Sequence, residues 1–218
     1  MILSPNNKAP FFGISRHRIG TDGYGIKTLV TFMNCPLKCK YCINDICHAS
    51  LPTEKYDIEW LTPQELYDRA KIDNLYFLAT DGGITFGGGE PGLYAEYIRE
   101  FKSICPPEWK LSLQTSLNYP QEILKELLPV IDEFIIDIKD MNPKIYKAYT
   151  EMDNTHVIQN LVYLKKHGQN KVRTIIIPVI PNYTINWENS AKELGKIGFY
   201  NIEIKEYIIP DEIREKSL

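Results

Sequence analysis

The chain has 218 residues, of which 44% are hydrophobic and 24% charged, so its composition is that of a globular protein and excludes disordered, collagen-like and coiled-coil classes. Its 25 Lys and Arg residues are scattered among 28 Asp and Glu residues, and the net charge of −3 gives no sign of a nucleic-acid partner. The sequence has no run of 18 apolar residues and no signal-peptide pattern, so it predicts no membrane association and a cytoplasmic location.

Strand-like and helix-like patterns alternate along the chain. The first strand is predicted by the β-branched and apolar run 26–33, and the first helix begins after Thr62, an N-cap residue that is followed by Pro63. Further helices are predicted at 92–104, 120–131, 142–150, 154–167 and 186–197, and further strands at 84–86, 109–115, 133–139, 172–179 and 202–207.

Six strands that alternate with helices favour parallel pairing through crossover helices, and therefore an α/β fold. Six βα units are two short of a closed eightfold barrel, so an open partial barrel and a doubly wound sheet both fit the pattern. No linker rich in Ser, Gly or Pro divides the chain. We expect a single domain over residues 1–218, with a core at about 20–208 and short extensions at both ends.

Polar segments follow the first four predicted strands at the point where each strand ends. Cys35–Cys42 follows the first strand and the segment 87–90 (GGGE) follows the second. The segment 114–116 ends the third strand, and the segment 137–139 ends the fourth. Because ligands bind at the carboxyl ends of parallel strands, we expect all four segments to lie on one rim.

Three of the five cysteines, Cys35, Cys39 and Cys42, have the spacing C-x3-C-x2-C. Three buried thiols without a ligand and a structural zinc site with a fourth ligand are both compatible with this spacing. An iron–sulfur cluster is favoured over both, because three thiolates can hold it and leave one iron open for a ligand. The remaining cysteines, Cys47 and Cys105, are too few for a second four-cysteine cluster and are interpreted as inert thiols.

The cysteine run has Tyr41 at an aromatic position and Asn44 two residues after its last cysteine, and it resembles the C-x3-C-x-aromatic-C motif of the radical S-adenosylmethionine (SAM) superfamily. Three further segments resemble the glycyl-radical-enzyme activating enzymes, of which the pyruvate formate-lyase activase is the best known. Gly20–Lys27 resembles the family motif G-x-x-D-G-P-G-I-R, Thr85–Pro91 resembles T-x-S-G-G-E-P, and Asp137–Lys139 resembles D-L-K. The resemblance extends from about Gly20 to Tyr207 and implies a partial (βα)6 TIM-like barrel with parallel strands.

The resemblance also implies one 4Fe-4S cluster held by Cys35, Cys39 and Cys42, with the amino and carboxylate groups of SAM on its open iron. It implies transfer of one electron to the sulfonium, which releases methionine and a 5′-deoxyadenosyl radical that abstracts a hydrogen atom. The residues expected to bind SAM are Tyr41, Ile43, Asn44, Gly88, Gly89, Glu90, Thr115, Asp137 and Lys139.

Individual residues of this rim have predicted tasks. The glycines allow close backbone approach to a ligand, and Glu90 offers a carboxylate to the ammonium group of SAM. Asp137 and Lys139 are two residues apart on a strand, so both are expected to point to one face and to reach the ribose or carboxylate of SAM. Gln114 stands where the activases usually carry an aspartate implicated in a cation site, and it lacks that charge.

By the same resemblance, Asp22, Gly23 and Gly25 lie near the mouth where a protein substrate enters. The expected function is that of a radical SAM activase, an oxidoreductase that removes a hydrogen atom from a glycine of a partner glycyl-radical enzyme. Flavodoxin or ferredoxin is the expected one-electron donor. Two alternatives stay open, namely radical SAM modification of a peptide or small molecule, and a non-catalytic iron–sulfur or zinc protein.

Overall fold

One twisted sheet organises the computed structural model, which describes residues 7–51 and 56–207. Its strands are β1 (Ala9–Ile19), β2 (Ile26–Phe32), β3 (Glu59–Leu61), β4 (Gly83–Gly88), β5 (Lys110–Thr115), β6 (Glu133–Asp137), β7 (Val172–Val179) and β8 (Ile202–Glu206). They lie in the order β3-β1-β2-β4-β5-β6-β7-β8. β1 is antiparallel to β2 and β3, and the other neighbouring pairs are parallel.

Helices of the described residues connect these strands. They are α1 (Pro63–Ala70), α2 (Asn74–Thr80), α3 (Ala95–Ile104), α4 (Gln121–Leu127), α5 (Pro143–Thr150), α6 (Thr155–His167) and α7 (Trp187–Ile197). α1 begins as predicted, because the Thr62 side chain accepts from the Glu65 amide and the Glu65 carboxylate accepts from the Thr62 amide. This capping box satisfies two backbone N–H groups that the first turn leaves unpaired. None of the helices in the described part of the chain has the length and apolar character that a bilayer span requires.

The two faces of the sheet differ in polarity. Val30, Phe86 and Ile136 point to one face, where they pack with helix residues such as Phe101 and Leu161 in a single apolar core. Alternate strand positions point to the other face, which carries polar side chains along the length of the strands. A doubly wound sheet would be apolar on both faces, because helices would cover both. The structure therefore confirms the α/β class and favours the partial barrel, which stays open because the strand order is linear within the described residues.

All six predicted strands are present, and the two antiparallel strands were not predicted. β1 falls in what the sequence analysis treats as an N-terminal extension, yet Ala9 and Phe11 are buried in the core. Its pairing with β2 shifts register twice, and His17 has a positive φ of 57°, so its second half lacks regular alternation. β3 has only three residues, too few for a periodic pattern. The predicted core boundary near residue 208 lies outside the described residues.

Candidate active site

The carboxyl ends of the parallel strands surround a pocket with a volume of about 380 Å³. The cysteine loop, residues 34–44, enters it after β2, and the glycine turn, residues 87–91, enters it after β4. The ends of β5 and β6 contribute the next part of the wall, and β7 and β8 complete it. The four polar segments therefore lie on one rim, as expected from the rule for parallel strands.

The structure brings together every residue for which the sequence predicts a cluster or SAM contact. The predicted residues that line the pocket are Cys35, Cys39, Tyr41, Cys42, Ile43, Asn44, Gly88, Gly89, Glu90, Thr115, Asp137 and Lys139. Asp22, Gly23 and Gly25, which are predicted near a substrate mouth, are not part of this lining.

The cysteine loop is held in place by backbone hydrogen bonds to distant parts of the chain. The amides of Lys38 and Lys40 donate to the carbonyls of Thr150 (2.9 Å) and Tyr149 (3.1 Å) at the end of α5. The carbonyl of Asn34 accepts from the Glu90 amide at 2.8 Å, which joins the loop to the glycine turn. The positions of the three cysteines are therefore set by tertiary structure as well as by their spacing.

The three thiols differ in acidity. Burial raises the pKa of Cys35 and raises the pKa of Cys39 to about 11. A hydrogen bond from the Cys47 thiol, with a further one from His48, lowers the pKa of Cys42 to about 5. All three are free and half-buried. Cys42 is thus the cysteine of the loop that is a thiolate at neutral pH, while the other two must release a proton to bind a metal.

The glycine turn packs against the start of the cysteine loop, and this contact explains its composition. A Cβ atom at Gly89 would lie 2.1 Å from the carbonyl oxygen of Asn34. Gly88 has a φ of +92°, and a Cβ atom there would lie 2.8 Å from the Thr31 side chain. A side chain at either position would overlap β2 or the cysteine loop, so packing alone requires glycine here. Both glycines also line the pocket, and their close approach to a ligand stays a prediction. Gly88 is also fixed by the Asn44 side-chain amide, which donates to its carbonyl at 3.0 Å.

Glu90 is a buried carboxylate whose acceptor positions are already in use. Its Oε1 accepts from the Thr115 hydroxyl at 2.7 Å and from the Gly92 amide at 3.1 Å. Its Oε2 accepts from the hydroxyl (2.7 Å) and the amide (2.9 Å) of Ser116. Burial raises the pKa of Glu90, although these hydrogen bonds oppose the rise. A carboxylate offers about four lone pairs, so an incoming ammonium group would have to displace one of the two hydroxyl donors.

Asp137 and Lys139 form an ion pair on the pocket wall. The Asp137 Oδ2 and Lys139 Nζ atoms are 2.8 Å apart, and both side chains line the pocket. The strand predicted at 133–139 ends at Asp137, so Lys139 reaches the pocket from the residues that follow β6. Ile138, between them, is buried in the apolar core. Burial opposes the charge of Lys139, but Asp137 and Cys39 raise its pKa, so it is a cation. The Asp137 Oδ1 atom is buried and has no hydrogen-bond partner among the described residues, so this carboxylate keeps one unused acceptor.

Asp22 and Gly23 lie beside the pocket on the polar face of the sheet. The Gln114 side-chain amide, which lines the pocket, donates to Asp22 Oδ1 at 2.7 Å. Arg18 donates to the other carboxylate oxygen at 2.7 Å, and Asp22 is 4% exposed. A Cβ atom at Gly23 would lie 2.7 Å from the side chains of Ser112 and Glu133. The segment before β2 is thus packed against the strands and joined to the pocket through Gln114.

Aromatic residues that the sequence analysis did not single out complete the wall. Tyr149 and Tyr207 line the pocket, and the Tyr207 hydroxyl donates to the Tyr41 carbonyl in the cysteine loop. The ring centroids of Tyr41 and Tyr149 are 6.4 Å apart, and Tyr183 packs against both. Tyr207 directly follows β8, so the rule that strand ends carry the site could have found it. No local signal marks Tyr149, which reaches the pocket from a helix end.

Cys47, which the sequence predicts to be an inert thiol, lies near the cysteine loop together with His48. One potential ligand atom from each of Cys42, Cys47 and His48 lies within 4.8 Å of the other two. Cys47 is buried and His48 is exposed, and neither lines the pocket.

The donors of the pocket fit both expected groups. Three free thiols on one loop are the ligands that iron–sulfur clusters take. The cation of Lys139, the carboxylate of Asp137 and the neighbouring glycine turn offer polar contacts on the same wall for a charged and hydroxylated ligand. The remaining wall includes Ile135, Ile176 and Pro178, so the pocket combines a few placed polar groups with apolar surface, as ligand sites usually do.

Comparison with known proteins adds independent findings. A model of the radical SAM superfamily matches residues 29–194. The (2S)-3-sulfopropanediol dehydratase activating enzyme of Klebsiella oxytoca is 32% identical, over 87% of this chain and 80% of its own length. The pyruvate formate-lyase 2-activating enzyme of Escherichia coli K12 is 26% identical, over 89% of this chain and 74% of its own.

Solved structures resemble the fold at lower identity. Streptococcus suis SuiB, bound to its precursor peptide SuiA, superposes with a TM-score of 0.60 and 14% identity over 87% of this chain. Coproporphyrinogen III oxidase (HemN) from Escherichia coli gives a TM-score of 0.55 and 13% identity over 80% of this chain. The chain covers 44% and 42% of those two longer chains, so the likeness concerns the shared barrel domain.

Proposed function

The chain belongs to the radical SAM superfamily, and from that premise we propose that it is the activating enzyme of a glycyl-radical enzyme. The observation that carries the proposal is the pocket, where three cysteines, the glycine turn and the Asp137–Lys139 pair meet at the strand ends. The activating-enzyme relatives, which align with 87% and 89% of the chain, support this branch of the superfamily.

Membership of the superfamily implies a 4Fe-4S cluster and SAM as cofactors. In the proposal, Cys35, Cys39 and Cys42 hold a single cluster, since five cysteines leave two for any other purpose. Bound there, the cluster supplies one electron that cleaves SAM into methionine and a 5′-deoxyadenosyl radical, which takes a hydrogen atom from the substrate. The binding, orientation and shielding of the reacting groups are the work of the protein.

The polar groups of the pocket divide the recognition of SAM between them. Asp137 lines the pocket and its carboxylate suits a ribose hydroxyl, while Lys139 is the cation and suits a carboxylate. Glu90 suits the ammonium group if the Thr115 or Ser116 hydroxyl rotates away from it. These three contacts would fix both ends of SAM and so orient its sulfonium toward the cysteines.

Aromatic and apolar side chains would exclude water from the reacting atoms. Tyr41, Tyr149 and Tyr207 line the pocket at or near the cysteine loop. Ile176 and Pro178 line it from β7, which lies four places from β2 in the strand order. A closed, dry site prevents side reactions of a reactive intermediate. The proposed substrate is a glycine of a partner glycyl-radical enzyme, and flavodoxin or ferredoxin is the proposed reductant. A reduced cluster suits the reducing cytoplasm.

Anaerobic reconstitution tests the chemistry. The full chain, reconstituted with iron and sulfide and reduced with dithionite, should release 5′-deoxyadenosine from SAM. Cys39→Ala should lose the cluster absorbance and the product together, whereas Cys105→Ala, outside the pocket, should keep both. A reconstituted and reduced protein that leaves SAM intact would contradict the proposal.

Deuterium transfer tests the substrate class. A glycyl-radical enzyme, or a peptide of its glycine loop, is prepared with deuterium at the glycine α-carbon, and the 5′-deoxyadenosine is analysed by mass spectrometry. Incorporation of deuterium and a glycyl radical signal in electron paramagnetic resonance support the activase. The test is repeated with the glycyl-radical enzymes that the relatives activate. Rapid SAM cleavage with neither deuterium incorporation nor a glycyl radical signal would favour the modification of a peptide or small molecule.

A further inference from the structure

A second group of metal-binding side chains lies beside the pocket and shares one residue with it. Cys42, Cys47 and His48 each present a ligand atom within 4.8 Å of the other two. We propose that, in the protein without its cluster, these three residues bind one thiophilic divalent cation, of which Zn²⁺ is the example. Neither the family match nor the names of the relatives assign such a site.

The distances fit a tetrahedral cation. With Zn–S bonds of about 2.3 Å and Zn–N bonds of about 2.0–2.1 Å, two ligand atoms of a tetrahedral site are roughly 3.5–3.8 Å apart. The three atoms here are already within 4.8 Å of one another, so side-chain adjustments of about 1 Å would bring them to bonding distance.

The backbone around Cys47 is fixed at both of its polar groups. The Cys47 amide donates to the Asn44 carbonyl and the Cys47 carbonyl accepts from the Asn34 amide, each at 2.9 Å. Cys47 and His48 belong to the short 3-10 helix Asp45–His48, which follows directly on the cysteine loop. A site built on such a segment holds its ligand atoms without the cost of ordering a flexible loop.

The different exposure of Cys47 and His48 suits a metal site. Cys47 is 1% exposed, so water does not compete for its sulfur, whereas His48 is exposed and gives a cation a path from solvent. Two thiolates and one imidazole are a donor set typical of zinc, and a water molecule can fill the fourth position. Binding of the cation would release the thiol proton of Cys47 to solvent, and the two thiolate charges would then neutralise a divalent cation.

The cation and the cluster would exclude each other, because Cys42 belongs to both ligand sets. This consequence rests on the proposed role of Cys42 in the cluster, whereas the binding of the cation does not. Occupancy by Zn²⁺ would leave Cys35 and Cys39 without their third partner and so block cluster assembly. The cysteine loop would therefore hold either the divalent cation or the cluster, depending on which metal binds first.

Cobalt serves as the spectroscopic probe for this site. The full chain, prepared anaerobically with reduced thiols and without iron, is titrated with Co²⁺. We expect one ion per chain, with thiolate-to-cobalt charge transfer and the intense visible bands of a tetrahedral complex. Displacement by Zn²⁺ then gives the zinc affinity. Cys47→Ala and His48→Ala should each weaken it by more than the roughly 10–100-fold that removal of an outer-shell partner costs.

Matched variants separate this site from the cluster ligands. Cys35→Ala, Cys39→Ala and Cys105→Ala should keep the cobalt spectrum and the affinity, while Cys42→Ala should lose both. Loss of the spectrum in Cys35→Ala or Cys39→Ala, with Cys47→Ala unaffected, would overturn the proposal and assign the ion to the three pocket cysteines. Absence of a tetrahedral spectrum in the wild-type chain would overturn it as well.

Competition is measured by cluster absorbance and iron content rather than by turnover. Preloading with one equivalent of Zn²⁺ should suppress cluster assembly in the wild-type chain and should not in Cys47→Ala/His48→Ala. For each protein, the sample reconstituted without zinc provides the reference value of cluster absorbance and iron content. Equal suppression in both proteins would contradict the shared-ligand explanation, and it would leave the proposed activase function untouched.

Discussion

The acidity of a single thiol decides the chemistry of the cysteine loop before any metal arrives. The hydrogen bond from Cys47 lowers the pKa of Cys42 to about 5, so this thiol is mostly ionised at pH 6.5. Burial raises the pKa of Cys39 to about 11, so Cys39 is protonated at that pH. A more basic thiolate is the better nucleophile, but the larger thiolate fraction of Cys42 outweighs this difference.

We therefore predict that iodoacetamide labels Cys42 first in the cluster-free protein at pH 6.5, at least about tenfold faster than Cys39. A thiol with a lowered pKa is already ionised at pH 6.5, whereas a thiol with a raised pKa stays protonated at that pH and reacts slowly. Peptide mapping by mass spectrometry at several pH values measures this, with Cys105 (pKa about 11) as an internal control. Faster labelling of Cys39 or Cys35 would contradict the assignment.

Glu90 joins the glycine turn to the end of β5, and this yields a second prediction. In Glu90→Gln, one carboxylate oxygen becomes an amide nitrogen that cannot accept a hydrogen bond. The buried backbone amide of either Gly92 or Ser116 therefore loses its partner. The free energy of unfolding of the cluster-free chain should fall by about 1–3 kcal/mol. Iron content after reconstitution should not change, while SAM affinity should fall at least about tenfold.

Urea denaturation and equilibrium dialysis with SAM provide the two measurements. Glu96→Gln, on the exposed side of α3, is the matched control and should leave both values near those of the wild-type chain. Unaltered SAM affinity in Glu90→Gln would show that the carboxylate takes no part in the site. Unaltered stability would contradict the hydrogen-bond network.

At the scale of elements, the site depends on two turns that touch. The glycine turn lies against the cysteine loop so closely that a methyl group at Gly89 would overlap the Asn34 carbonyl, 2.1 Å away. Gly89→Ala should therefore separate the turns and lower both the melting temperature and the iron content after reconstitution. Differential scanning calorimetry and iron analysis measure these effects.

A glycine in open surroundings gives the control for that variant. Gly195 lies inside α7, and a Cβ atom there would have its nearest neighbour, in Tyr200, at 3.6 Å. Gly195→Ala should raise stability by about 0.5–1 kcal/mol, because alanine favours the helix. If both variants behave alike, close packing between the turns is not what requires glycine at position 89.

Much of the site could be predicted from local sequence, and the reason is topological. Strand patterns followed by Cys35–Cys42, Glu90 and Asp137 are short-range signals, and parallel pairing then gathers them at one edge. The contacts of Cys42 with Cys47 and His48 were not predictable, because they depend on the path of a loop that distant hydrogen bonds determine. The position of Tyr149 in the pocket was not predictable for the same reason, since this residue reaches the pocket from the end of α5.

At the scale of the whole molecule, β1 is part of the folded core, although the sequence predicts an N-terminal extension there. Phe11 is 1% exposed and packs against Phe32 with ring centroids 4.6 Å apart. Phe11→Ala should lower the free energy of unfolding by about 3–5 kcal/mol, the cost of deleting a buried aromatic ring. Urea denaturation measures it.

Ile19, at the other end of β1, is 72% exposed and provides the comparison. Ile19→Ala should change stability by no more than about 0.5 kcal/mol. A truncated chain that begins at Gly20 should fail to fold cooperatively, because β2 would lose its antiparallel neighbour and the core would lose Ala9 and Phe11. A cooperative transition in that truncated chain would show that β1 is dispensable.

The hydrogen bonds that fix the cysteine loop have a consequence for the order in which the protein matures. Its backbone partners at Glu90, Tyr149 and Thr150 are 56, 109 and 112 residues beyond Asn34, Lys40 and Lys38, so the loop takes its shape only after the chain has folded over a long range. Three thiols close in sequence cannot by themselves nucleate this fold, unlike the ligands of a zinc finger, whose metal drives folding. Iron and sulfide would then enter a scaffold that already exists, and nascent chains would complete their slow parallel pairing before maturation begins.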